Sequence, residues 1–211
     1  RQLLQDAGYR GYSDVSDIYS ASRYVSNNVP HLSVDYSVFD VTVANSCNRA
    51  LSEMNTLMPE VIKRVAILGH SHYVNKRLRS WRPQSYASSV IARAFAPSAF
   101  TPGAISWNSR MCNNLKRLQS TCQQCVNNGF HPTGTENIDS IMFHELGHHI
   151  DYLLKLDAVP EIASFYRTLH GDEIAFGVSG YANKKFSEFI AECWAEYMTN
   201  PTPRVIAQKV G

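Results

Sequence analysis

His144, Glu145 and His148 stand in an H-E-x-x-H run, the spacing from which one helix builds most of a zinc site. Residues four apart share a helix face, so the two imidazoles can offer nitrogens to a single tetrahedral Zn2+. Glu145 is then left beside the metal. A carboxylate there can take the proton of a zinc-acidified water as it attacks a carbonyl. The run therefore predicts hydrolysis at a metal, with His144 and His148 as ligands and Glu145 as general base.

A catalytic zinc takes three protein ligands and keeps a fourth position open, so one ligand is still missing. The extended metzincin run does not supply it, because Asp151 and Leu154 stand where that run has glycine and histidine. The remaining source is a glutamate on a later helix. Over residues 183–198, Phe186, Phe189, Ile190, Cys193 and Tyr197 form an apolar stripe, while Glu188, Glu192 and Glu196 recur at four-residue spacing. Such an acidic stripe alone reads as a solvated face, with Lys184 and Glu188 an ordinary i,i+4 pair. The zinc run upstream makes Glu188 and Glu192 site candidates and leaves Glu196 in the ordinary reading.

Ser179-Gly180-Tyr181-Ala182, followed by Glu188-Phe189-Ile190-Ala191-Glu192, resembles the gluzincin zinc metallopeptidases of the anthrax lethal factor and clostridial Pro-Pro endopeptidase subgroup. In that subgroup a tyrosine seven residues before the glutamate ligand points into the site, and a glutamate four residues after it supports the ligand shell. Tyr181 and Glu192 match both offsets from Glu188. The resemblance covers residues 130–200 and implies one catalytic Zn2+ held by His144, His148 and Glu188, with Glu145 as base and Tyr181 as donor to the developing oxyanion. Glu192 is the expected acceptor for a ligating histidine's other ring nitrogen. The substrate class implied is protein or peptide, with no further identity.

The lead-in Gly129-Phe130-His131-Pro132-Thr133-Gly134-Thr135 is similar to that of zinc peptidase domains in phage and prophage head-associated proteins and other mobile-element polypeptides. It implies a domain from a longer chain, and a start at Arg1 fits a processed or excised piece. The alternative to a peptidase is a zinc-stabilised structural or interaction domain with vestigial catalysis. Glu145 and Tyr181 argue against it, because a structural zinc needs neither base nor phenol. Peptide deformylase also uses an H-E-x-x-H helix, but its Gly-Cys-Leu type ligand segment is absent.

The run needs a helix, and Ile138, Ile141, Met142, Leu146, Ile150, Leu153 and Leu154 supply the three- and four-residue periodicity of one over residues 137–156. Thr135 or Asn137 is the expected N-cap. Further helices are expected at residues 1–8, at 11–28 with Ser13 or Asp14 as cap, and at 37–58, closed by Pro59. Strands are expected at 65–68, 86–95 and 104–108, the last as the exposed edge able to pair with an extended substrate. The fold class expected is α+β and zincin-like: a small, mostly antiparallel sheet beside the active-site helix, then a helical C-terminal part carrying the third ligand. Residues 1–60 read as an N-terminal helical segment packed on a metallopeptidase domain at 61–211, or as part of one domain with it.

The chain has 211 residues, 44% hydrophobic and 18% charged, enough for a buried core. A net charge of +2 gives no case for nucleic acid or membrane surface as partner. Neither a signal-peptide core nor a transmembrane-length apolar run occurs, so the chain as given reads as soluble. Cys47, Cys112, Cys122, Cys125 and Cys193 are odd in number, which rules out a framework of disulfides without a free thiol. Cys122 and Cys125 are expected to face the core or pair with another cysteine, with a second metal among Cys112, Cys122, Cys125 and His131 the weaker reading. His70 and His72 form at most a weak metal pair. His149 is expected to be exposed or just outside the ligand shell, His131 has some prospect of reaching the site from its loop, and His170 reads as a C-terminal helix cation.

Overall fold

Apolar periodicity becomes helix along most of the chain, and among the described residues the strands lie between Ser33 and Trp107. The computed structural model describes residues 2–9, 11–78 and 90–211. These fall into two compact units, Arg1–Leu118 and Gln119–Gly211. The boundary expected at residue 60 lies inside the first unit, where a strand before it pairs with a strand after it.

The first unit contains α1 (Gln2–Asp6), α2 (Ile18–Asn28), β1 (Ser33–Asp35), α3 (Val41–Leu57), α4 (Pro59–Ile62), β2 (Val65–His70), α5 (Ser71–Arg77), β3 (Ala92–Phe95), β4 (Gly103–Trp107) and α6 (Ser109–Cys112). Asp17, rather than Ser13 or Asp14, caps α2 by accepting from Ser20 N at 2.8 Å, so the helix starts later than its apolar pattern suggests. Val43, Ala44, Cys47, Ala50, Leu51 and Met54 bury one side of α3 completely. Pro59 does not simply end that helix; it opens α4 from its first turn, where proline's missing N–H costs nothing.

The class is α+β, with a four-stranded sheet in the order β1-β2-β4-β3. The sheet is mixed, not mostly antiparallel: β1–β2 and β2–β4 are parallel and only β3–β4 is antiparallel. The chain between β1 and β2 carries α3 and α4, and that between β2 and β4 carries α5, which gives the length a parallel crossover needs. The strand at 104–108 is not an edge. It has β2 on one side and β3 on the other, and all of β4 is buried. Of the strand expected at 86–95, residues 86–89 lie outside the described residues.

An α7 (Leu115–Asn127) spans the division between the units, and the second unit continues with α8 (Asp139–Leu154), α9 (Pro160–Thr168), α10 (Gly171–Gly177), α11 (Phe186–Thr199) and α12 (Val205–Val210). Short 3-10 turns at Leu156–Ala158 and Ala182–Lys184 precede α9 and α11. Asn137 rather than Thr135 caps α8, its Oδ1 accepting from Ser140 N at 2.9 Å. Every residue from Met142 to Ile150 is buried, so the H-E-x-x-H run lies on a core helix rather than on a half-exposed one.

The principal packing in this unit is α8 against α11. Gly147 makes it close: a Cβ there would stand 2.9 Å from Ala191 Cα and 3.3 Å from Trp194 Cβ. Gly147 lies between the two histidines and Ala191 between Glu188 and Glu192, so the approach that glycine permits brings the two ligand-bearing faces together. Among the described residues, no helix is long and apolar enough to cross a membrane.

Candidate metal centre

His144, His148 and Glu188 form a buried group whose ligand atoms lie within 4.8 Å of one another, a group able to hold a metal ion. His144 Nε2 and His148 Nε2 each stand 3.2 Å from the same oxygen, Glu188 Oε2. That oxygen is buried and has no hydrogen bond of acceptable geometry. Tetrahedral ligation with bonds near 2.0–2.2 Å separates ligand atoms by about 3.3–3.6 Å. Two imidazole nitrogens and an orphaned carboxylate oxygen at this spacing fit a zinc-sized divalent cation better than they fit one another.

Charge points the same way. Burial pushes the His144 imidazole towards neutrality, but the Glu188 and Glu192 carboxylates overcome it and raise its pKa to about 10. Burial also works against the Glu188 carboxylate, yet His144 and His148 hold its pKa well below the usual range. The carboxylates thus favour positive charge beside them.

Glu192 lies one turn along α11 from Glu188 and is buried, 2.7 Å from His144 Nδ1. His131 Nδ1 is 2.9 Å from Glu192 Oε1, and Ser179 Oγ donates to Oε2 at 2.8 Å. Burial works against this carboxylate too, but His131 and His144 bring its pKa down to about 2. Fixing Glu192 from two sides fixes the ring orientation of His144. The His148 ring stacks on Tyr152 at 6.2 Å and 17°; neither its Nδ1 nor that of His144 has a partner of good hydrogen-bond geometry among the described residues, so Glu192 meets His144 as an ion-pair contact.

Tyr181 reaches the site through a short backbone ladder, in which Gly180 N donates to Gly129 O at 2.8 Å and Tyr181 N to Phe130 O at 3.1 Å. Its ring stacks on His144 at 5.9 Å and lies tilted against Phe130 at 4.9 Å. Burial raises the pKa of its phenol and the Glu188 and Glu145 carboxylates raise it further, so the hydroxyl stays protonated and able to donate. Glu145 is buried in α8, close enough to act electrostatically on His144, Tyr152 and Tyr181. The six residues singled out by spacing and by the gluzincin resemblance, His144, Glu145, His148, Tyr181, Glu188 and Glu192, thus stand together in one unit.

Other placements depart from expectation. His131 belongs to the site's support, although its loop offers no periodicity; the only signal was its place in the lead-in before the helix. Ser179 carries no sequence signal of its support of Glu192, because serine beside glycine ordinarily reads as turn chemistry. His149 is fully buried, with its ring edge-on to Tyr152 at 5.5 Å, because the middle of α8 has no exposed side. His170 begins α10 instead of ending a helix: its N–H donates to Glu173 Oε2 at 2.7 Å in a capping box. Glu196 is not solvated but fully buried, where Arg204 Nε and Nη2 reach its two oxygens at 2.9 and 2.8 Å. None of the five cysteines forms a disulfide, and among the described residues none joins a group able to hold a metal ion. His70 instead lies 3.5 Å from Asp35, and His72 is exposed on α5.

No family model matches this chain, and no curated protein or solved structure does either.

Proposed function

We propose that the chain is a zinc-dependent endopeptidase of zincin-like, gluzincin type. The observation that carries this reading is the convergence of His144 Nε2 and His148 Nε2 on Glu188 Oε2 at 3.2 Å, with a buried glutamate next to the first histidine in sequence. When bound, zinc supplies Lewis acidity to a carbonyl oxygen and acidifies water. His144, His148 and Glu188 hold it. Glu145 accepts the proton of the attacking water and returns it to the nitrogen of the departing amine. Tyr181, protonated and stacked on His144, donates its hydroxyl hydrogen to the oxygen on which charge develops. Glu192, braced by His131 and Ser179, keeps the His144 ring facing Glu188.

The test is to load the protein with zinc, measure metal per chain, and profile cleavage of a diverse peptide library. One zinc per chain and cleavage of internal peptide bonds are expected, and Glu188→Ala is expected to lose the metal. Full zinc content in that variant would move the third ligand elsewhere. Stoichiometric zinc with no cleavage by the wild-type protein would favour a structural role.

A further inference from the structure

Lys184 lies over two aromatic rings at once, its Nζ 5.2 Å from the Tyr181 centroid and 5.3 Å from that of Phe130. The rings are 4.9 Å apart at 34°, and Tyr181 continues onto His144 at 5.9 Å. Steps of 5.2 Å and 5.9 Å keep the ammonium within about 11 Å of the His144 ring, roughly three extended residues of a bound peptide. Phe130 keeps 37% of its surface exposed, and Lys184 is exposed.

The neighbouring cation is already engaged, since Lys185 Nζ lies 3.3 Å from Glu188 Oε1. Lys184 is different. Among the described residues no carboxylate stands within ion-pair distance of it, and the i,i+4 pairing with Glu188 expected from sequence does not form, because Glu188 turns inward to the two histidines. An uncompensated ammonium above an aromatic shelf that leads to a metal-ligating histidine is half of a carboxylate subsite. The shelf covers the apolar part of a ligand and the ammonium takes its charge.

Resting on the peptidase reading, we propose that Lys184 and Phe130 form a specificity subsite selecting peptides with a carboxylate within three residues of the cleaved bond. Two sources share this chemistry: an Asp or Glu side chain, and the peptide's own C-terminus.

The experiment uses the zinc-loaded protein and four labelled peptide series: internal Asp or Glu with an amidated C-terminus, a free C-terminus without acidic side chains, internal Lys with an amidated C-terminus, and neutral controls with Asn, Gln and amide. Wild type is expected to favour one carboxylate series over its neutral control by about two- to fivefold in kcat/KM at low salt, with the advantage shrinking as salt rises. Lys184→Gln should abolish the preference, and Lys184→Glu should reverse it in favour of lysine-containing peptides. Ratios between peptides cancel any general loss of activity. No preference in wild type, or the same preference in Lys184→Glu, would overturn the subsite. Fluorescence anisotropy with the same peptides separates this from the parent reading: selective binding without cleavage would refute the peptidase and retain the subsite.

Discussion

Replacing Gly147 by alanine places a methyl group where α8 and α11 approach most closely. The new Cβ would stand 2.9 Å from Ala191 Cα and 3.4 Å from Ala191 O, both backbone atoms that no rotamer change can move. Ordinary contact begins near 3.4 Å, so the helices must part locally by about 0.5 Å. In an isolated helix the same change would stabilise by about 1 kcal/mol. Overpacking a filled interface costs about 1–3 kcal/mol, so a net destabilisation of about 0–2 kcal/mol is expected instead. The larger effect falls on the metal. Gly147 sits between His144 and His148, and Ala191 between Glu188 and Glu192, so the displacement acts directly on the 3.2 Å contacts of Glu188 Oε2. A site whose tolerance is about 0.5 Å should lose about tenfold in zinc affinity or more. Urea unfolding with and without zinc, together with chelator competition, measures both terms. A variant stabilised by the full propensity gain with unchanged zinc affinity would refute the close-approach explanation.

Three further outcomes follow from features away from the metal. Arg204→Met should cost about 3–5 kcal/mol in urea unfolding, because Glu196 is left buried and unpaired, while the Glu196→Met, Arg204→Met double variant should recover most of that loss; an equal loss in the double variant would discount the pair. Burial raises the Cys112 and Cys122 thiols to about 12, so at pH 8 their thiolates are scarce and reaction with a disulfide reagent should be far slower than for a free thiol. On unfolding without reductant all five cysteines should titrate, and fewer would reveal a disulfide. Lys155, exposed and left-handed with φ 50° at the C-cap of α8, should gain about 0.5–1 kcal/mol when changed to glycine, read as a rise in Tm.

The ligand set was legible because helical period and chemistry coincide: His144 with His148, and Glu188 with Glu192, are each four apart on a strongly apolar helix. The sheet was legible only in part. β1 is three residues, Ser33–Asp35, with no apolar run to mark it, and its existence depends on pairing with β2 more than thirty residues away. Strand order is set by the crossovers through α3, α4 and α5, which local patterns do not encode; hence 104–108 reads as an edge in sequence although β4 is internal. Glu196 resembled a surface residue because its partner, Arg204, lies eight residues on, beyond the prolines that end α11. His131 and Ser179 meet at Glu192 from separate segments, a convergence that only tertiary structure reveals.

The most direct test of the central claim pairs zinc content with peptide turnover in Glu145→Gln. Glu145 is buried beside the ligands but is not among them, so the variant should bind one zinc per chain with wild-type affinity while cleavage falls by about 10²–10⁴-fold. Undiminished cleavage by the zinc-loaded variant would contradict Glu145 as the base and, with it, the proposed use of the site.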